Sequence, residues 1–219
     1  MLSLILKDIY LLRKTMAFSV FYMFVMLFVF SRLDNPAAVF TSCMVAIIYL
    51  MIVTGCALDE KNKSDVIFNS LPLSRSVIVG EKYLMVIVYV LFGAAVYGIV
   101  TRVIGLLGLI PNLSFLTLEG LLAAFIVVSF LASIYLPVYF KFGYIRSKIY
   151  YFILFFGMFF GISLLISVIS SDSQNAGSLL SFLAVQNGAV IGIILTGAAL
   201  AMLAASFGIS LKIYKNREF

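Results

Sequence analysis

A chain of 219 residues that is 64% hydrophobic and only 11% charged, with a mean hydropathy of +1.19, carries more apolar surface than a water-soluble domain can bury. Such domains run at roughly 45–50% apolar and about 25% charged. Lipid is the solvent this composition fits, and at about 20 residues per crossing the length holds six crossings with short loops. With no His in the chain, a Ser-His or Cys-His nucleophile, an HExxH zinc helix and an imidazole proton shuttle are all excluded.

The first element predicted is an amphipathic helix over residues 1–15. Ile5, Ile9, Leu12 and Met16 recur at helical spacing, while Ser3, Lys7 and Lys14 line another face. Such a helix suits the membrane interface, its lysines near anionic head groups. A plain extension of the first span is the alternative. The span itself runs from Met16 to Ser31. It is longer than a signal-peptide core, lacks a small-x-small cleavage site and ends in the polar turn Arg32 to Pro36, so a retained span is expected.

Five further apolar runs are predicted at 37–58, 80–107, 118–140, 149–170 and 187–211. Asn35-Pro36, Leu71-Pro72, Pro111-Asn112, Lys141 to Lys148 and Ser170 to Asn175 separate them. Pro137 falls inside the fourth run and is expected to kink it. The fold class is therefore all-α: one integral membrane domain over 1–219, with a cytoplasmic loop at 59–79 and a tail at 212–219. Cys43 and Cys56 lie 13 apart within one apolar stretch and read as small hydrophobes, not as a redox or metal pair.

The basic residues orient the chain. With the N-terminus inside, all 15 Lys and Arg fall on cytoplasmic segments except Arg32 and Arg102, as the positive-inside rule requires of six spans with both termini cytoplasmic. The net charge of +6 is then a topology signal, and nucleic acid is not an expected partner.

No ionisable residue is predicted near the bilayer midplane, which argues against a proton- or sodium-driven transporter working alone. Glu81, Lys82, Arg102, Glu119 and Lys141 all sit near the ends of runs. Ser129, Ser133, Ser163 and Ser167 lie within spans but have no base, so bonds to backbone carbonyls one turn away are expected of them, and no catalysis. Gly157 with Gly161, and Gly188 with Gly192, form GxxxG pairs expected to let helices approach closely.

The least lipid-like stretch is Asp59 to Tyr83, DEKNKSDVIFNSLPLSRSVIVGEKY. Its front half mixes charges with Val66, Ile67 and Phe68, a pattern for a short amphipathic helix. The stretch Ser70-Leu71-Pro72-Leu73-Ser74 then turns the chain, and Ser74 or Ser76 caps the third span. Apolar residues on a charged cytoplasmic hairpin suit docking into a groove on a soluble partner, the alternative being a solvated connector.

Here the sequence resembles the permease subunits of ABC-2-type exporters, the small six-helix bacterial ones with a separate ATPase. The likeness rests on Asp59-Glu60 at the end of the second span, Ser70-Leu71-Pro72, Ser74-Arg75, Ile78-Val79 and Lys82-Tyr83, which together match the pattern SLPxSRxxIVxxKY. The resemblance implies that Ser64, Asp65, Val66, Ile67, Phe68 and Asn69 form a helix coupling to a cytoplasmic ATPase, with Leu71, Pro72 and Arg75 setting the turn into the third span. It also implies an interfacial elbow helix at 1–15, two ATPases and a second permease, identical or not, in a bacterial cytoplasmic membrane. The short loop from Ser170 to Gln186 departs from the re-entrant hairpin of larger members.

No GxxxxGK[ST] motif is present, so the chain is not expected to be an enzyme or to bind a cofactor, and ATP with Mg belongs to the partner. The abundance of Phe, Tyr and Met fits hydrophobic or amphipathic cargo, membrane-active peptides among them, as well as it fits lipid-facing surface. Two alternatives stand: a substrate-binding component of an energy-coupling-factor importer, or a membrane scaffold without transport. The first lacks its expected small-xxx-small alanine pairs, since Met16 to Ser31 offers only Ala17 and Ser19.

Overall fold

In lipid a backbone satisfies its polar groups only as a helix or a closed barrel. In a computed structural model that describes residues 2–30, 36–64, 67–68, 74–107, 117–150, 152–153, 156–157 and 188–217, all regular structure is helical. Five long helices stand out: α1 Leu2–Phe30, α2 Pro36–Lys61, α3 Arg75–Leu107, α4 Leu118–Phe142 and α5 Gly188–Lys215. Each is long and apolar enough to cross a membrane. The chain turns helical again at 144–150, but most of the run expected at 149–170 lies outside the described residues.

The helices begin and end where local chemistry allows. Pro36 opens α2, a first-turn position where its missing N–H costs nothing. The Thr117 side chain caps α4 by accepting from the Gly120 N–H at 3.2 Å. At the other end Gly143, at φ 76° and ψ 177°, donates its N–H to Tyr139 O and redirects the chain in a conformation that essentially only glycine adopts. Pro137 sits within α4, which continues past it to Phe142.

The N-terminal stretch and the first span form one element, the second of the two arrangements expected for residues 1–15. No break separates residues 1–15 from the first span, because nothing in this stretch interrupts a helix, and α1 is continuous over 29 residues. Its inward stripe is Leu4, Asp8, Leu12, Ser19, Met23 and Leu27. Of the apolar face read from the sequence, only Leu12 is fully buried, since packing against α2 and α3 from the first turns decides which side faces in.

α2 lies against α1, α3 and α4, and α4 pairs most extensively with α5. Phe40, Met44, Ile47, Ile48 and Met51 of α2 are fully buried, and Phe40 meets Tyr97 of α3 edge-on at 4.6 Å. The outward surface stays apolar, with Phe18, Phe21, Leu91, Ile99, Leu106, Ile193 and Leu200 among its exposed side chains.

The described residues show close approach at glycines other than the expected pairs. Among the described residues a Cβ at Gly157 would touch nothing, and at Gly192 it would meet Leu122 at an ordinary 3.9 Å. Gly161 lies outside the described residues; Gly188 opens α5. Close approach occurs elsewhere, at Gly120, where a Cβ would come within 2.8 Å of the Phe40 ring, and at Gly93 against Met44.

Candidate functional site

At about 1.5 Å per residue, the 33 residues of α3 reach roughly 50 Å and the 29 of α1 roughly 44 Å, well beyond a hydrocarbon layer of about 30 Å. The surplus turns gather at one end of the bundle, which also carries both chain termini. There the start of α1, the end of α2 and the start of α3 meet in a knot of five charges.

Lys82 of α3 is its centre. Its ammonium donates to Asp8 Oδ2 of α1 at 2.6 Å, pairs closely with Asp59 of α2, and lies 3.7 Å from Glu81 Oε2. Lys7 joins from α1, donating to Asp59 Oδ1 at 3.0 Å and lying 2.7 Å from Asp8 Oδ1. Asp8, Asp59, Glu81 and Lys82 are 1–8% exposed, so these charges exchange water for one another. Buried charges persist only when paired in this way. Glu81 Oε1 is buried without a hydrogen-bond partner among the described residues. Beside Lys82 a cavity of about 10 Å³, bounded by Cys56, Gly55 and Tyr89, has room for the centre of one water.

Asp59 and Glu60 stand at a helix C-terminus, where the dipole disfavours negative charge, and each is compensated differently. Asp59 enters the knot. Glu60 turns the other way and accepts the Tyr144 N–H, so it caps the helical turn that starts after Gly143. Two arginines cap C-terminal carbonyls nearby. Arg75 donates to Tyr214 O at 3.3 Å and to Lys215 O at the end of α5, and Arg217 donates to Phe140 O at the end of α4. Deeper in, Tyr83 of α3 shares hydrogen bonds of 2.7 Å with Ser206 and Ser210 of α5, and Ser206 donates to Ser133 O of α4.

Of the loop residues singled out in the sequence, the structure describes Ser64, Ile67 and Phe68, together with Asp59, Glu60 and Arg75; Asp65, Val66, Asn69, Leu71 and Pro72 lie outside the described residues. Ile67 and Phe68 point oppositely. Ile67 is 54% exposed, whereas Phe68 is buried, its ring 4.5 Å beneath the Lys7 ammonium. Ser64 is buried as well, and Lys63 takes the left-handed conformation (φ 50°) that ends α2.

Sequence reasoning missed Asp8, and it placed Glu81 and Lys82 only as charges at the start of a run, with Lys82 also in a motif, without their partners. The available signal was Asp8 itself: it interrupts the stripe Leu4, Leu12 at four-residue spacing, and a carboxylate on a helix's apolar stripe requires a partner. Both cysteines are buried and unbridged. Ser133 donates to Ser129 O at 2.7 Å as expected, whereas Ser129 Oγ is buried without a hydrogen-bond partner among the described residues, and Ser163 and Ser167 lie outside them. The described residues hold no metal-ligating cluster.

Long apolar helices whose charges are drawn to one end form a membrane-embedded scaffold. No curated protein matches the chain. The family model described as ABC-2 family transporter protein matches residues 3–215, which spans all five helices and the charged loop between α2 and α3. The chain therefore belongs to the ABC-2 transporter family, as a permease component of an ABC transporter.

Proposed function

We infer that the chain is the transmembrane subunit of an ATP-driven exporter, with a separate cytoplasmic ATPase docked on the loop at 62–74. The observation that carries this reading is the placement of that loop. It joins two long apolar helices at the basic, termini-bearing end, and both of its bases are anchored through the charge knot. A cytoplasmic motor has access to that end if the basic residues lie inside, as Lys61, Lys63, Arg75, Lys212, Lys215 and Arg217 suggest.

Six crossings are the reading that chain direction and composition support. α4 and α5 both finish at the same end, as the Arg217 to Phe140 and Arg75 to Tyr214 bonds indicate, so the residues between them must return the chain to the opposite end. The apolar run at 149–170 is the stretch with the composition for that crossing. Two such permeases, identical or not, with two ATPases make the working unit, and the apolar, aromatic-rich spans favour hydrophobic or amphipathic cargo such as membrane-active peptides, moved outward.

Affinity purification in mild detergent tests the docking. An ABC ATPase is expected to co-purify with the wild-type chain and to be lost from Ile67→Asp, which alters an exposed side chain and leaves the buried Phe68 in place. Retention by Ile67→Asp would remove the docking assignment. Absence of any ATPase from the wild-type preparation would favour a scaffold or a substrate-binding module.

A further inference from the structure

A single turn of α1 contacts the helix ends on either side of the stretch 62–74. Lys7 and Asp8 reach Asp59 at one base of the loop and Lys82 at the other, and the Lys7 ammonium lies over Phe68 within the loop. Three helix ends thus converge on one pair of consecutive α1 residues. Lys82 is the residue among those described whose side chain contacts carboxylates of both other helices, Asp8 on α1 and Asp59 on α2, while itself belonging to α3.

A set of buried ion pairs is a poor way to gain stability, because apolar side chains of similar volume hold helices together as well or better. Ion pairs do fix relative position, since a short ammonium–carboxylate contact tolerates little sliding or rotation, whereas apolar contacts can re-register. Removing Lys82 would leave Asp8, Asp59 and Glu81 facing one another with Lys7 as the remaining cation of the knot. The three helix ends would then lose their common partner.

We propose that Lys82 is a positioning residue that makes the first turns of α1 and both bases of the loop a single moving body, so that force applied to the loop is delivered to α1. The proposal rests on the docking reading above and adds the route by which motion leaves the loop. Asp8 and Asp59 are its counterparts on the other two helices. A motor acting on the loop then moves α1 together with the ends of α2 and α3, and does not merely flex the connector.

The test uses nitroxide labels on Ser3→Cys and Ser74→Cys, both exposed positions, one on α1 and one at the start of α3. Distances are read by pulsed electron paramagnetic resonance in the purified permease, and in its complex with whichever ATPase co-purifies, without nucleotide and after trapping with ATP and vanadate. The proposal expects one narrow distance in the wild-type background, unchanged by nucleotide. It expects a broadened distance in Lys82→Met that shifts with nucleotide, and recovery of the narrow peak in Lys82→Arg.

A wild-type distance that shifts on trapping would overturn the single-body reading, and so would a narrow, nucleotide-independent peak in Lys82→Met. Should Lys82→Met fail to fold, the wild-type arm decides alone, because it carries no buried substitution. If no ATPase co-purifies, the docking reading fails, yet the permease alone still decides the knot: a broad wild-type distribution overturns it and a narrow one sustains it. A purely structural role for Lys82 would lower stability without making the distance follow nucleotide.

Discussion

Individual residues at the charged end carry more constraint than their small number suggests. Asp59 accepts from Lys7 and is ion-paired with Lys82, so Asp59→Ala leaves two ammonium groups short of a buried counter-charge. Breaking such a pair from one side costs about 3–5 kcal/mol, and a matching fall in thermal stability in detergent is the expected outcome. Gly143 is constrained by backbone, since its positive φ and a Cβ position 3.2 Å from Glu60 Oε2 oppose any side chain. Gly143→Ala should cost about 1–3 kcal/mol in the same assay. Gly120→Ala, pressed against Phe40 at 2.8 Å, should destabilise by a similar amount through overpacking. Gly98→Ala in α3 meets open space and should be neutral or stabilising by up to about 1 kcal/mol, because alanine is the better helix former. A neutral Gly120→Ala would contradict the packing described for α2 against α4.

At the scale of elements, spans were legible because lipid demands length and apolarity, and both are read directly from residue counts. Runs expected at 37–58, 118–140 and 187–211 correspond to helices at Pro36–Lys61, Leu118–Phe142 and Gly188–Lys215. The helix ends extend further than hydropathy indicates, since the charged Asp59, Arg75 and Lys82 are helical, stabilised by partners on other helices that a local window cannot register. The close glycine contacts were illegible for a related reason. Spacing shows which residues share a face, but Gly120 and Gly93 matter because Phe40 and Met44 of another helix lie opposite. The α3–α5 contact offers a test: Tyr83→Phe removes a hydroxyl bonded to Ser206 and Ser210, and about 1 kcal/mol per bond should be lost, with faster amide exchange near Ser206.

For the whole molecule, the gathering of surplus helical turns at one end makes it lopsided along the membrane normal. Charge and both termini lie at that end, while the described residues of the opposite end include Arg102 and Glu119 near helix ends. A single-cysteine scan checks the assignment of sides: labels at Ser3 and Lys215 should react only from the cytoplasm, and one at Leu106, 89% exposed near the end of α3, only from outside or within lipid. Reaction of Ser3 and Lys215 from opposite sides would overturn the arrangement of termini. The adjacent carboxylates ending α2 have a mechanical consequence of their own. Successive residues point about 100° apart around a helix axis, and Asp59 is tied toward α1 and α3 while Glu60 is tied to the turn after α4. Two tethers at different azimuths prevent α2 from spinning or advancing by a residue without breaking one of them. α2 is thereby locked in rotation and register at the charged end, so it can be displaced there only together with the elements that hold its two carboxylates.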